Sequence, residues 1–556
     1  MSISEQVQPT IDINIKGVGT VTAAIGSSFY DIYKQIEDKV NQPIMAGVIN
    51  NKLIDFYYRF YEPCNLELVD TTSETGLKIY RRSALFLLLK ACRELYPERK
   101  LIVKHSLSNG LFCEFLDREC SIDEAKAIEN KMKELQARNV LINKHVMETG
   151  KACQVFTEQD KEDKVKLLEY RNQDKVNVYE MDGLYEYFYG YMAIETRFIN
   201  QFRVLNYPPG IILQTPELDK PREIKPYIPQ HKLASIFAEA KSWAEMLDTP
   251  HLAALNEIIT RGQINNIIWV NEALHEKKIA QIADMCNNKK IRLILISGPS
   301  SSGKTTFAQR LLIQLRVNGR RPVSISLDNY FVNREMTPKD EYGEYDFEAL
   351  ESLNLELFND HLNKLIRGEA VEMPIYNFKT GISSPSGFSI QVPDGEPIII
   401  EGIHGLNDRL TWAVPREQKF KIYVSALTQL NIDNTNRIPT TDSRLIRRIV
   451  RDSRTRGHNA LNTIKRWPSV RRGEEKNIFP FQENADVIFN SSLVYELPVL
   501  KQYAEPLLAE ITDEHPEYIV AKHLLKFLSY VRPVSRGDIP PNSILREFIG
   551  GSWFKD

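Results

Sequence analysis

Cysteine is scarce in this chain: six in 556 residues (Cys64, Cys92, Cys113, Cys120, Cys153, Cys286), with no Cys-x-x-Cys pair among them. That spacing suits reduced thiols better than a disulfide framework or a zinc site. An excess of charge of one sign is missing too. Lys and Arg number 71 against 73 Asp and Glu, a net of −2, so no overall basicity marks a nucleic-acid binder and any such surface is local. Long apolar runs are lacking, and the longest, near Leu85 to Leu89, is far too short to span a bilayer. The first residues lack the basic-then-apolar order of a signal peptide. These absences predict a cytoplasmic protein. With 42% hydrophobic and 26% charged residues over this length, the chain can build three or four domains, each with its own core. No internal repeat is seen.

The predicted organisation is multidomain, part α+β and part α/β. Residues 1–70 carry short β-favouring segments (Ile11 to Ile15, Thr20 to Ala23, Ala46 to Ile49, Leu66 to Val69) around one helical stretch at Tyr30 to Val40. Residues 71–205 open with helical patterns at Tyr80 to Leu95 and Ser121 to Asn139, then turn aromatic and irregular from Tyr179. Pro208-Pro209-Gly210 and the stretch Pro216 to Pro229 read as a joint, within a mostly helical linker region at 206–289. A domain at 290–492 follows, then a helical extension at 493–556.

The densest signal is Gly298-Pro299-Ser300-Ser301-Ser302-Gly303-Lys304-Thr305, a complete Gly-x-x-x-x-Gly-Lys-Thr phosphate loop. Leu293 to Ile296 suits a strand buried on both faces, and Thr306 to Arg316 has helical spacing ending at Asn318-Gly319. The glycines let the backbone curl so that N–H groups from Ser300 to Thr306 face phosphate oxygens, with the helix directing its positive end there. Lys304 can reach the β- and γ-phosphates, and the Thr305 hydroxyl can ligate Mg²⁺. A nucleoside triphosphate site is predicted, with ATP and Mg²⁺ as cofactors.

Two further strands end in acids. Val323 to Leu327 leads into Asp328, and Pro397 to Ile400 into Glu401. Ligands sit at the carboxyl ends of parallel strands, so both acids are expected to face the loop, one as catalytic base and the other as Mg²⁺ ligand. Arg444, Arg447, Arg448 and Arg451 recur at i, i+3, i+4 and i+7, with Arg454 and Arg456 just beyond and Asp452 the only acid among them. Such a stripe repels itself unless an anion or an acidic partner sits between its members. It is expected to act as a lid over the migrating phosphoryl group.

These residues carry a resemblance. The loop, Asp328-Asn329-Tyr330-Phe331, Tyr345-Asp346-Phe347, Pro374-Ile375-Tyr376-Asn377-Phe378, Ile400-Glu401-Gly402-Ile403 and Arg447-Arg448-x-x-Arg451-Asp452-x-x-x-Arg456-Gly457 stand in the order of the uridine kinase branch of the uridine kinase/phosphoribulokinase superfamily, which they resemble over about 290–490. The resemblance implies a P-loop parallel-sheet kinase transferring the ATP γ-phosphoryl to a nucleoside 5′-hydroxyl. It makes Asp328 the base with Lys304, Arg451 and Arg456 neutralising phosphate, and it gives Mg²⁺ to Thr305 and Glu401, with Asp328 a further candidate ligand. Asp346 and Arg448 would grip the ribose, while Tyr345, Tyr376 and Phe378 would line the base site. Two positions depart from the family: Lys379-Thr380-Gly381 replaces a pyrimidine-site histidine, and Arg456-Gly457-His458 replaces Arg-Gly-Arg.

The front of the chain resembles threonyl-tRNA synthetases. Val48 to Asp55 with Leu66 to Val69 is similar to their TGS module, a β-grasp fold, and Tyr80 to Ala84 with His105 to Phe112 to their second, editing-associated α+β domain. Where that family has zinc-type ligands, this chain has Arg82, Phe86, Phe188 and Met192, so no metal or editing centre is expected. Tyr185, Tyr187, Phe188, Tyr189 and Tyr191 either stack on RNA bases or fill a core. Three functions stay open: a nucleoside 5′-kinase, a phosphoribulokinase-like kinase of another sugar alcohol, and an RNA-binding regulator switched by ATP. Self-association is a further expectation, and no membrane partner is.

Overall fold

The computed structural model describes residues 9–171, 173–428 and 430–554. Its first sheet comprises Thr10–Ile15, Gly19–Ala24, Ile44–Ile49, Lys52–Ile54 and Cys64–Asp70, ordered second, first, fifth, third, fourth, with the first and last strands parallel. Alternation drives it: Ile11, Ile13 and Ile15 point inward while their neighbours face solvent. The helix Phe29–Lys34 starts at a reciprocal Ser28–Asp31 capping box and seats Phe29, Ile32 and Tyr33 on that inner face. Lys52–Ile54 was not expected from the sequence, being too short to show a period. Its signal was the turn Asn50-Asn51, both left-handed, which closes the hairpin.

The next part pairs a four-stranded sheet (Leu101–Leu107, Gly110–Phe115, Arg203–Tyr207, Gly210–Gln214) with a three-stranded one (Asn143–Glu148, Lys175–Met181, Leu184–Tyr187). The helices Glu74–Leu95 and Ile122–Ala137 belong to the same half. Pro208-Pro209 is not a joint between domains. It is the turn of a hairpin in which Tyr207 faces Gly210, and the strand after it pairs with Gly110–Phe115. Prolines carry no N–H and fit a turn that asks for none, which is also what they do in a linker. The stretch read as irregular therefore carries strand at both ends, with residues 188–202 between them outside any strand. Tyr187, Phe188 and Tyr189 are buried, so they pack a core rather than offer a platform for bases. Phe86 and Phe188 meet edge-on at 5.5 Å.

Three helices, His231–Met246, Leu252–Thr260 and Ile264–Cys286, lead to the third sheet. All five of its strands are parallel, in the order Val323–Ser326, Ile398–Glu401, Leu293–Ser297, Lys419–Ser425, Val487–Asn490. The central strand is wholly buried, as its unbroken apolar run requires. Among the described residues, no helix is long and apolar enough to cross a membrane.

His275, on the helix Ile264–Cys286, is fully buried against Trp243 and Phe489, with Nε2 3.2 Å from the Ser492 carbonyl oxygen. Burial, helped by Arg310, pushes its pKa down to about 3 from the usual 6.5. The fold therefore holds the neutral ring. Below pH 6.5 the unfolded chain takes up a proton that the folded one refuses, so stability is lost progressively as pH falls from 6.5 toward 3, by up to a few kcal/mol. We expect Tm to drop between pH 7 and pH 4.5, and to drop less steeply in His275→Leu. Equal slopes would remove His275 from the cause.

The front half and the parallel sheet interlock through the segment ahead of the helix Thr440–Thr455. The Lys164 ammonium, buried, lies 3.1 Å from Asp433 and 3.0 Å from Glu186. The Val103 N–H donates to the Asn434 carbonyl (2.9 Å), the Asn436 amide to the Tyr187 carbonyl (2.8 Å), and Arg437 to the Ser106 hydroxyl (2.6 Å). Asp442, in the first turn of that helix, faces Lys78 at 3.8 Å and His523 at 2.9 Å. Lys78 and His523 hold its carboxyl well below the usual range against its burial.

Candidate active site

Two glycines of the phosphate loop are dictated by space. A Cβ at Gly298 would stand 2.0 Å from the Val424 carbonyl oxygen. Gly303 is left-handed (φ +84°), and its Cβ would meet Ile544 at 2.5 Å. The helix Lys304–Val317 begins there, with its first-turn N–H groups turned to the loop. Ser301 and Ser302 are buried and Thr305 is exposed. The Lys304 ammonium donates to the Pro299 carbonyl (3.2 Å). Its burial lowers its pKa, while Glu401, Asp328, Glu547 and Glu348 pull it back up.

The two acid-bearing strands are neighbours. Glu401 is level with Ile296 on one side and Ser326 on the other, and the Ser326 hydroxyl donates to its carboxylate (2.7 Å). Asp328 follows in the 3₁₀ turn Leu327–Tyr330. Burial, then the Asp328 charge, push the Glu401 carboxyl up to about 7, and Lys304 opposes them. Residues 304, 328 and 401 thus lie near enough for the charges of Asp328 and Lys304 to act on Glu401, and those of both acids on Lys304.

The arginine stripe divides its work by depth. Arg444 and Arg447 face inward, fully buried, and are paired with Glu474 and Glu496. Both also hold loop carbonyls, Arg444 that of Ser300 (2.9 Å) and Arg447 that of Ser301 (3.4 Å). They fasten the loop instead of facing a phosphoryl group, because two other helices bring acids to their side. Arg448, Arg451 and Arg456 gather on Asp452, at 3.2, 2.7 and 3.9 Å. Arg448 also donates to the Ser300 hydroxyl (2.8 Å). Arg456 stands 4.0 Å from Asp328 and lies over the Phe378 ring at 4.6 Å; Arg451 and burial hold its pKa down to about 10. Arg454 donates to the carbonyls of Glu547 and Phe548 and so belongs to a contact with the end of the chain.

A continuous aromatic wall borders Asp328. Tyr376 and Phe378 meet at 5.0 Å, Phe331 touches both at 5.4 and 5.9 Å, and Phe347 joins Phe331 to Tyr345 at 6.4 and 6.1 Å. The Asp346 carboxylate accepts from the Glu348 N–H (3.1 Å). Where the family histidine would follow, Arg334 packs on Gly381 and donates to the Phe378 carbonyl (2.8 Å).

Glu348, Glu474, Glu496 and Glu547 were not foreseen. Glu348 has a buried, unpartnered oxygen, and burial with Glu474 nearby pushes its carboxyl up to about 7. Local sequence carried no signal for any of them, since each acts on a segment far away in the chain. As for a metal, the Thr305 hydroxyl and the carboxylates of Glu401 and Asp328 are hard oxygen donors of the kind Mg²⁺ shares with phosphates and waters. A buried Glu401 carboxyl raised by the neighbouring Asp328 charge, beside a single lysine, is an arrangement that a divalent cation relieves, so the residues fit the ion.

The profile of the Phosphoribulokinase / Uridine kinase family matches residues 293–496. A uridine kinase of Ureaplasma parvum is 29% identical over 202 residues, which is 36% of this chain and 88% of that protein. The uridine kinase of Bacillus pumilus is 29% identical over 197 residues, 35% of this chain and 84% of its own length. Uridine kinase-like protein 5 of Arabidopsis thaliana is 30% identical over 200 residues, 35% of this chain and 38% of its own. The matched stretch begins at the loop strand and runs through both acid-bearing strands and the arginine stripe. Residues 293–496 are therefore a domain of the phosphoribulokinase/uridine kinase family.

Proposed function

We propose that the chain is an ATP- and Mg²⁺-dependent kinase that phosphorylates the 5′-hydroxyl of a ribonucleoside. The observation that carries this reading is the convergence of Asp328 and Glu401, from adjacent strands, on Lys304 of the phosphate loop. In it Asp328 takes the hydroxyl proton as the hydroxyl oxygen forms its bond to the γ-phosphorus. The bond from that phosphorus to the β-bridging oxygen breaks, and ADP leaves. Lys304, Arg451 and Arg456 offset the charge spread over the transferring group. Thr305 and Glu401 would hold Mg²⁺, which supplies charge neutralisation across the β- and γ-phosphates. Tyr345, Tyr376 and Phe378 line the acceptor cleft, and Asp346 has lone pairs for two vicinal hydroxyls. Arg448, engaged by Ser300 and Asp452, serves the loop in this reading and not the ribose.

One observation favours a second reading. The guanidinium of Arg334 stands beside Phe378 where the relatives' pattern has an imidazole, and it suits an anionic acceptor such as a sugar phosphate. ADP release by the purified full chain, given ATP, Mg²⁺ and each common ribonucleoside, ribose or ribulose 5-phosphate in turn, separates the two. We expect turnover on at least one ribonucleoside and none on the sugar phosphate. No turnover on any ribonucleoside refutes the first reading.

The front domains we read as TGS-like and synthetase-like modules that have lost their ligands. The strand order of the first sheet supports the former, and the aromatic packing at Phe86 and Phe188 supports the loss.

A further inference from the structure

The last helical turn among the described residues, Arg546–Ile549, lies on the phosphate loop, outside the family domain. Ser543, Ile544, Leu545 and Phe548 are completely buried, and Ile549 nearly so. Ile544 presses on Gly303, and the Phe548 ring lies 5.0 Å from the Arg447 guanidinium. Arg454 clasps the Glu547 carbonyl (2.9 Å) and the Phe548 carbonyl (3.2 Å). Four such side chains make this segment a fixed wall, since exposing each costs about 1.5–3 kcal/mol. Its one acid points into the loop. A carboxylate oxygen of Glu547 accepts from the Thr306 N–H (3.1 Å) and from the Thr306 hydroxyl (3.0 Å).

Thr306 is the third residue of the helix, so its N–H has no partner within the helix and belongs to the set that cradles the α- and β-phosphates. A helix start of this kind attracts one anion, and a second arriving there is repelled by the first. Glu547 is only half-buried and can swing, whereas the backbone that carries it cannot. We propose that Glu547 is an affinity-setting residue of the donor site: a built-in anion that occupies part of the phosphate cradle and is displaced whenever the triphosphate seats. The C-terminal segment thereby completes the nucleotide site of a domain whose family profile ends at residue 496, and it tunes that site toward weak, readily exchanged nucleotide. This inference rests on reading the loop as a triphosphate site.

The test is calorimetric titration of the full chain with ATP, ADP and inorganic tripolyphosphate, for the wild type, Glu547→Gln, Glu547→Ala and Lys304→Ala. Glu547→Gln keeps the shape and removes the charge, so all three ligands are expected to bind about five- to tenfold more tightly, in keeping with charge effects at helix termini. Glu547→Ala should behave alike, and the KM for ATP should fall in both. Unchanged or weaker binding overturns the proposal, as does a gain for ATP with none for tripolyphosphate, because the competition is for phosphate. If the wild type and Glu547→Gln both fail to bind any of the three at millimolar concentration, as Lys304→Ala should, the triphosphate reading itself falls and takes this one with it. Equal binding by the wild type and Glu547→Gln overturns only the role of Glu547.

Discussion

Asp328→Asn is expected to lower kcat by two to four orders of magnitude while ATP still binds. The side chain keeps its shape but loses its basic lone pair, and positioned bases contribute about 10²- to 10⁴-fold. Geometry favours Asp328 over Glu401 for this task. Glu401 is 8% exposed and bound by the Ser326 hydroxyl, whereas the Asp328 side chain is 43% exposed, open to the aromatic cleft, and faced by Arg456. Removing a negative charge next to Lys304 and Arg456 does not weaken the hold on an anionic donor, so the loss should appear in kcat and not in the ATP dissociation constant. Steady-state kinetics on whichever acceptor the screen identifies, with calorimetry for ATP, checks this. Turnover within a few-fold of the parent would take the proton-accepting role away from Asp328.

The second large effect is on stability. Glu496→Ala leaves Arg447 buried between the carbonyls of Ser301 and Ser491 and the ring of Phe548, with no carboxylate to balance it. Breaking such a pair on one side costs roughly 3–5 kcal/mol, whereas replacing both members by apolar groups is often neutral. We therefore expect Glu496→Ala to lose most of that amount in urea unfolding, and Arg447→Met with Glu496→Leu to recover much of it. The double variant should nevertheless bind ATP poorly, because the arginine also fastens the loop. A single variant as stable as the parent would show that Arg447 finds another counter-charge.

What could be read in advance was local. The phosphate loop is a contiguous pattern whose glycines answer to backbone constraints, and the strands leading to Asp328 and Glu401 announced themselves before a carboxylate, the first by apolar residues alternating with serines and the second by an unbroken apolar run. The arginine stripe was legible as a helical face, and its need for anionic partners followed from charge alone. Which arginines turn inward was not legible, because Glu474 and Glu496 come from other helices whose packing no spacing encodes. Glu547 was hidden for the same reason, lying 241 positions along the chain from Thr306. The proline pair misled because a hairpin turn and a linker make the same demand on the backbone. The aromatic run left two readings open, and burial of Tyr187, Phe188 and Tyr189 decides for the core.

The buried bond between Lys164 and Asp433 joins residues 269 positions apart in the chain. A cut between the front sheets and the start of the arginine helix would strand an ammonium on one fragment and a carboxylate on the other, each in a cavity shaped for its absent mate. The stretch that matches free-standing relatives is, in this molecule, half of a lock whose other half was synthesised first.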